Sequence, residues 1–235
     1  MLMNIVKEVI AMICITGDVH GWEWRFDEER CPYLKELGTG DFLIVAGDFG
    51  FVFLNDERER KFLDVLAKLP YTVLFVDGNH ENFDTLFKYP LEKWNGGKVH
   101  FIRENVIHLM RGQVYEIEGR KFFTFGGGYS IDKYLRREGV SWWKEEMPSL
   151  SEYEEGMRNL ERNGFNVDYI ITHAAPESVM NMIFPNHDPE KELNLYLERV
   201  KQQTEFRHWY FAHLHMEEDY PGNFTMLYTN GVYIE

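Results

Sequence analysis

A chain of 235 residues with 44% hydrophobic and 16% aromatic content has ample material for the core of one large α/β domain or two small ones. Its formal net charge of −14 argues against a broad nucleic-acid or membrane-surface footprint. An anionic substrate stays compatible, because bound dications make a pocket locally positive. Among residues 1–10, Leu2, Ile5, Val6, Val9 and Ile10 sit near helical spacing, but Lys7 and Glu8 interrupt them, so a signal peptide is not expected. No apolar run reaches the roughly 18 residues of a membrane span. Cys14 and Cys31 follow no metal or redox spacing, and free thiols fit a reducing cytoplasm. The expectation is a cytoplasmic protein with a short N-terminal extension.

The first strand is the apolar run Ala11 to Ile15, closed by Thr16-Gly17. Gly17-Asp18-Val19-His20-Gly21 then presents a carboxylate and an imidazole two residues apart. Of the following Trp22, Glu23, Trp24 and Arg25, either the tryptophans cover the first helix, or Trp22 or Arg25 touches substrate. A helix is predicted from Phe26 to Leu37, with Gly38 as its stop. The run Phe42–Ala46 ends in Gly47-Asp48. Asn55 can cap a helix over Asp56–Leu69, with acids in its first turn and Lys68 in its last, and Pro70 ends it. The run Thr72–Val76 ends in Asp77-Gly78-Asn79-His80-Glu81.

Between Val99 and Phe125 four short β-rich stretches read as adjacent antiparallel strands, with a hairpin turn at Glu118-Gly119. His100 and His108 lie within them as ordinary strand residues. Gly126-Gly127-Gly128 lacks the Lys-Ser/Thr of a P-loop, so close backbone packing is its expected role. Ser130 to Ser149 is irregular and holds Arg136, Arg137, Trp142 and Trp143; a lid and a surface loop with buried tryptophans are both open. Ser149 or Ser151 begins a helix to Asn163, stopped by Gly164. The run Val167–Ile171 ends in Thr172-His173. Asn186-His187-Asp188 is a turn, with His187 facing solvent, before a helix over Pro189–Gln203. His208 opens the strand whose run Trp209–Ala212 ends in His213-Leu214-His215. Phe224–Tyr228 and Val232–Ile234 read as a closing hairpin through Asn230-Gly231. There is no internal repeat or linker, and the motifs span the chain, so residues 1–235 are expected to form a single domain.

Five apolar runs therefore end in polar, metal-ligating residues. In an open α/β sheet, sites form beyond the carboxyl ends of strands. Such ends would gather Asp18, His20, Asp48, Asn79, His80, His173, His213 and His215. Carboxylates, imidazoles and an amide oxygen suit two divalent metals.

The ordered blocks GDVHG, GD, GNHE, TH and HLH resemble the calcineurin-like metallophosphoesterase superfamily, from Asp18 to His215. The resemblance implies a layered α/β sandwich with two central mixed sheets flanked by helices. It further implies one metal on Asp18, His20 and His215, a second on Asn79, His173 and His213, and Asp48 as the bridge. Mn²⁺ or Fe is favoured, with Zn²⁺ open. His80 matches the family's catalytic histidine, a general acid to the leaving oxygen. Substrate contacts are assigned to Trp22, Arg25, Arg136 and Arg137. The implied activity is hydrolysis of a phosphate mono- or diester, such as a phosphorylated small molecule or a nucleotide. Protein serine/threonine phosphatases carry an Asp-Arg pair shortly after this GD, where Phe49-Gly50-Phe51 stands here. A phosphatase of that type, or a scaffold that has lost catalysis, is the alternative, although scaffolds lack ligands that this chain keeps. Ala212 replaces the Gly usual before the final HxH.

Overall fold

The computed structural model of the chain describes residues 11–186 and 189–234; the expectations for residues 1–10 and His187 lie outside them. Continuous apolar runs become strands covered on both faces, because a run without alternation has no face to give to water. In chain order the strands are β1 (Ile13–Thr16), β2 (Phe42–Val45), β3 (Thr72–Phe75), β4 (Leu91–Trp94), β5 (Gly97–Arg103), β6 (Val106–Leu109), β7 (Gln113–Ile117), β8 (Arg120–Phe125), β9 (Tyr169–Thr172), β10 (His208–Phe211), β11 (Glu218–Tyr220), β12 (Phe224–Met226) and β13 (Gly231–Ile234). The α-helices are α1 (Glu57–Leu66), α2 (Phe83–Leu86), α3 (Leu150–Arg162), α4 (Glu177–Ile183) and α5 (Lys191–Gln203).

Two mixed sheets result, in the orders β13-β1-β2-β3-β6-β5-β4 and β11-β12-β10-β9-β8-β7. In the first, β1, β2, β3 and β6 run parallel; in the second, β8, β9, β10 and β12 do. Side-chain alternation sorts the core into three layers. Ile13, Ile15, Ile44 and Leu74 point inward and meet Phe122, Tyr169 and Ile171 between the sheets. Cys14, Leu43, Val45 and Val73 point outward against Leu63 and Leu66 of α1. On the far side, Ile170, Trp209 and Phe211 pack on Tyr153, Leu160, Leu193 and Leu197 of α3 and α5. This is the layered α/β sandwich that the resemblance implied. Burial pushes the Cys14 thiol up to about 12, so it serves as a small core residue.

Several local expectations change. No helix spans Phe26–Leu37; two 3₁₀ turns, Glu23–Phe26 and Pro32–Glu36, flank a bend. Asp27 Oδ1 accepts the Glu29 N–H at 2.9 Å, a local turn that competes with helix, and Pro32 can only begin a turn. Asp56, not Asn55, caps α1 by accepting the Glu59 N–H at 2.8 Å. The four β-rich stretches divide between the sheets: β5 and β6 pair in one, β7 and β8 in the other. Glu118 and Gly119 make the β7–β8 turn with φ of 51° and 70°. The C-terminal hairpin is not formed, since β12 joins β10 and β11 while β13 pairs antiparallel with β1. The short strands β4 and β11 and the helices α2 and α4 have no counterpart among the expected elements. Ser149 caps α3 with the expected capping box to Glu152.

Candidate active site

The loops leaving β1, β2, β3, β9 and β10 converge where the two sheets' carboxyl ends meet, and each loop is fixed by its neighbour. The Val19 and His20 N–H groups donate to the Asp48 carbonyl at 2.9 and 2.7 Å. Asp48 Oδ1 accepts the His80 N–H at 2.7 Å. The Asp18 carboxylate accepts the His213 N–H at 3.1 and 3.2 Å to its two oxygens. His20, Asp48, His213 and His215 all adopt positive φ, at 52°, 49°, 74° and 53°. A non-glycine residue there costs about 1–3 kcal/mol and persists where the surroundings impose it, which is typical of functional sites.

The side chains fall into two groups. In the first, ligand atoms of Asp18, His20, Asp48 and His215 lie within 4.8 Å of one another. The Nε2 atoms of His20 and His215 face each other at 2.8 Å, and His20 Nε2 stands 3.6 Å from Asp48 Oδ2. In the second, His173 Nε2 lies 3.2 Å from Asn79 Oδ1, 3.1 Å from His213 Nδ1 and 3.4 Å from Asp48 Oδ1. Asp48 thus turns one oxygen to each group.

Supporting contacts fix which atom each ring or amide presents. His173 Nδ1 donates to the Ala46 carbonyl at 2.9 Å, which turns Nε2 toward the centre. Glu190 Oε2 stands 3.4 Å from His213 Nε2, so His213 presents Nδ1; Glu190 is itself held by the Tyr129 N–H and Asn194 Nδ2. Asn79 donates from Nδ2 to Ser130 Oγ at 3.1 Å, and Ser130 Oγ donates to Glu146 Oε2 at 2.6 Å, so the amide oxygen faces inward. Sequence reading missed Ser130, Glu146 and Glu190. No local pattern marks them, because each acts on a loop far away in the chain. Gly126-Gly127-Gly128 packs as expected: a Cβ on Gly128 would sit 3.0 Å from the His173 ring and 3.1 Å from Asn79 Oδ1.

With protein groups alone, burial pushes Asp18 up to about 7 and His20 down to about 4. Burial would also raise Asp48, but His173 beside it wins and holds it well below the carboxylate range. Burial would lower His173, but Asp48 lifts it to about 10. A cation taking these ligands must displace protons from them.

His80 stands at the edge of the first group, its ring 4.9 Å from that of His20. Its partner comes from the irregular segment after β8: Arg136 Nη2 lies 3.2 Å from His80 Nε2 and pairs with Asp132 Oδ2 at 2.9 Å. Glu81, next in sequence, turns away and accepts the Phe49 N–H at 2.7 Å. A cavity of about 410 Å³ opens here, walled by Asp48, His80, Arg136, Ile131, Phe184 and His215 among others. The segment also buries Trp143, whose Nε1 donates to Asp84 at 2.9 Å, so it is anchored and yet lines the cavity.

The four expected substrate contacts separate. Arg136 faces the cavity. Trp22 is 41% exposed, stacked on Trp24 and 5.5 Å from the His20 ring. Arg137 is exposed and lines neither of the two cavities that His80 borders. Arg25 is a correction: it is 1% exposed, and its guanidinium donates to the carbonyls of Asp18, Gly17 and Tyr228 and to Thr16 Oγ1. Its charge serves backbone acceptors beneath the first loop. Arg25→Met strands several buried carbonyls, each worth about 1–3 kcal/mol when unpaired. Denaturant unfolding should show a loss of about 3 kcal/mol or more; a loss under about 1 kcal/mol would contradict this role.

The profile of calcineurin-like phosphoesterases matches residues 11–217. A lariat debranching enzyme from Entamoeba histolytica is 28% identical over 137 residues, which are 52% of this chain and 37% of that enzyme. The match thus spans little more than a third of that relative's length. Among solved structures, phosphopantetheinyl hydrolase from Mycobacterium tuberculosis has a TM-score of 0.43 and 16% identity, over 94% of this chain and 92% of that one.

Proposed function

This chain belongs to the calcineurin-like phosphoesterase family, and on that premise we propose that it hydrolyses a phosphate ester with a water activated at a dinuclear metal centre. One observation carries the reading: Asp48 presents Oδ2 to His20 and Oδ1 to His173, so a single carboxylate joins two ligand groups. Asp18, His20 and His215 would hold one cation, Asn79, His173 and His213 the other, and Asp48 both. Mn²⁺ and Fe are the favoured ions, and this mixed oxygen and imidazole set accommodates Zn²⁺ as well. When bound, such ions supply a water deprotonated at neutral pH and neutralise charge on phosphoryl oxygens.

The chain's own residues do the rest. Arg136 binds a phosphoryl oxygen through guanidinium N–H groups that point at His80. Engaging that oxygen takes Arg136 off His80 Nε2, which then takes up a proton from solvent and passes it to the leaving oxygen. Burial and Arg136 hold the proton affinity of His80 down, and an anionic phosphoryl group alongside raises it again. Asp132 steers Arg136 from the far side.

Where protein serine/threonine phosphatases carry their Asp-Arg pair, Phe49 is buried and stacks on Phe75 at 4.2 Å, and Phe51 stacks on Phe62 at 4.7 Å. The position is filled by core and offers no phosphate clamp. Turnover on aryl phosphate esters or nucleotides is therefore expected to exceed turnover on a phosphoserine protein, and a clear preference for the phosphoprotein would overturn that part of the reading. No helix among the described residues is long and apolar enough to cross a membrane. The buried free thiols Cys14 and Cys31 agree with a cytoplasmic location. The enzymatic reading is tested by stripping the protein with a chelator. Hydrolysis of an aryl phosphate should vanish and return with Mn²⁺, Fe²⁺ or Zn²⁺; full activity after complete stripping would contradict it.

A further inference from the structure

Resting on the dinuclear reading above, we infer that Tyr228 is a positioning residue for the first ligand group. Its ring sets the plane of His215, and its carbonyl ties that imidazole to the loop that carries Asp18 and His20. Tyr228 lies beyond residues 11–217, the stretch that the family profile matches. Its ring centre stands 4.7 Å from that of His215 at an interplanar angle of 11°, so the two rings are stacked.

His215 needs such a support. Asn79, His173 and His213 are turned by Ser130, the Ala46 carbonyl and Glu190. Among the described residues no hydrogen bond holds Nδ1 of His215, whose Nε2 faces His20. The His215 side chain is 45% exposed, against 14% or less for His20, His173 and His213. An imidazole binds a cation along one ring nitrogen's lone pair, so its affinity depends on how the ring is held. For His215 the neighbouring flat face supplies what a hydrogen bond supplies to the others.

Tyr228 is itself held from two sides. Its carbonyl oxygen accepts the Gly17 N–H at 3.2 Å and Arg25 Nη2 at 2.7 Å, and Arg25 also donates to the Asp18 carbonyl. A Cβ on Gly17 would run into the Leu227 carbonyl, so a glycine is required where the two loops meet. On the other side stands Glu217, two residues past His215. Its Oε1 accepts the Thr229 N–H at 2.8 Å, the Thr229 hydroxyl at 3.0 Å and the Asn230 N–H at 2.7 Å. The loop after β10 and the loop between β12 and β13 are thus latched around the stacked pair. These contacts of Tyr228 and its successors do not involve the Tyr228 side chain. Replacing that side chain removes the ring and keeps the latch.

The test titrates the chelator-stripped full chain with Mn²⁺ in a calorimeter. Tyr228→Leu keeps apolar bulk but has no flat face, whereas Tyr228→Phe keeps the ring. Tyr228→Leu should weaken one ion by about tenfold or more, the scale on which partners that orient a ligand act, and leave the other near its parental affinity. His215→Ala should weaken the same ion, which assigns it to the first group. Tyr228→Phe should bind both ions as the parent does. Parental binding by Tyr228→Leu, equal weakening of both ions, or a Tyr228→Phe protein as weak as Tyr228→Leu would overturn the inference while the dinuclear reading stands. Absence of Mn²⁺ binding by the parent would overturn that reading and the inference with it.

Discussion

Asp48→Asn should strip metal from both ligand groups at once, with a fall in turnover larger than the roughly 10–100-fold that loss of a supporting partner of a ligand costs. The expectation comes from the two oxygens of Asp48, which face His20 Nε2 at 3.6 Å and His173 Nε2 at 3.4 Å. An asparagine keeps the shape but offers one oxygen and no charge. His80 would also exchange its backbone acceptor, since its N–H donates to Asp48 Oδ1. By contrast, a ligand serving one group alone, such as Asn79, should cost one ion when replaced. Elemental analysis beside kcat distinguishes the outcomes. Unchanged metal content with normal turnover in Asp48→Asn would refute the bridging role.

The second large effect is at His80, and it depends on the leaving group. An alkoxide is a poor leaving group and needs a proton, whereas a nitrophenolate is stable and needs little help. General acid assistance is worth roughly 10²–10⁴-fold. His80→Ala should lower kcat by that order on alkyl or nucleotide esters, and far less on a nitrophenyl ester. Metal content should hold, because the contact from position 80 to Asp48 runs through the backbone N–H, which alanine retains. Equal losses on both esters, or a loss of metal or of melting temperature, would mean that His80 only supports the turn after Asn79.

The sequence displays the site well because the fold writes it at strand ends. Short unbroken apolar runs followed by Gly-Asp, Gly-Asn-His or His-x-His are local signals, and the sheet brings them together. Asp18, His20, Asp48, Asn79, His173, His213 and His215 accordingly fall into two clusters in space. What escapes local reading depends on partners far along the chain. Glu190 acts on His213, and Glu146 acts on Asn79 through Ser130, and neither stands in a pattern of its own. Arg25 looks like a free cation beside the site, yet the carbonyls of Asp18, Gly17 and Tyr228 claim it. Arg136 sits in an irregular segment whose path is fixed by distant anchors, Trp143 on Asp84 and Glu146 on Ser130.

The fold misreadings have the same origin. Asn230-Gly231 is a strong hairpin signal, but Phe224 and Met226 are drawn into the outer core of the second sheet while β13 is drawn to β1. Tertiary pairing overrides the turn. Over Phe26–Leu37 the reverse holds: Asp27 and Pro32 impose local turns that outweigh helical spacing. β4 was missed because Leu91-Glu92-Lys93 is exposed at a sheet edge, where no apolar run is needed.

The most direct test of the dinuclear centre is a crystal structure of Mn²⁺-loaded protein with anomalous diffraction recorded at an energy where manganese scatters strongly. Two peaks are predicted, one among Asp18, His20 and His215 and one among Asn79, His173 and His213, with Asp48 in contact with both. A single peak, or peaks that leave Asp48 out, would contradict it.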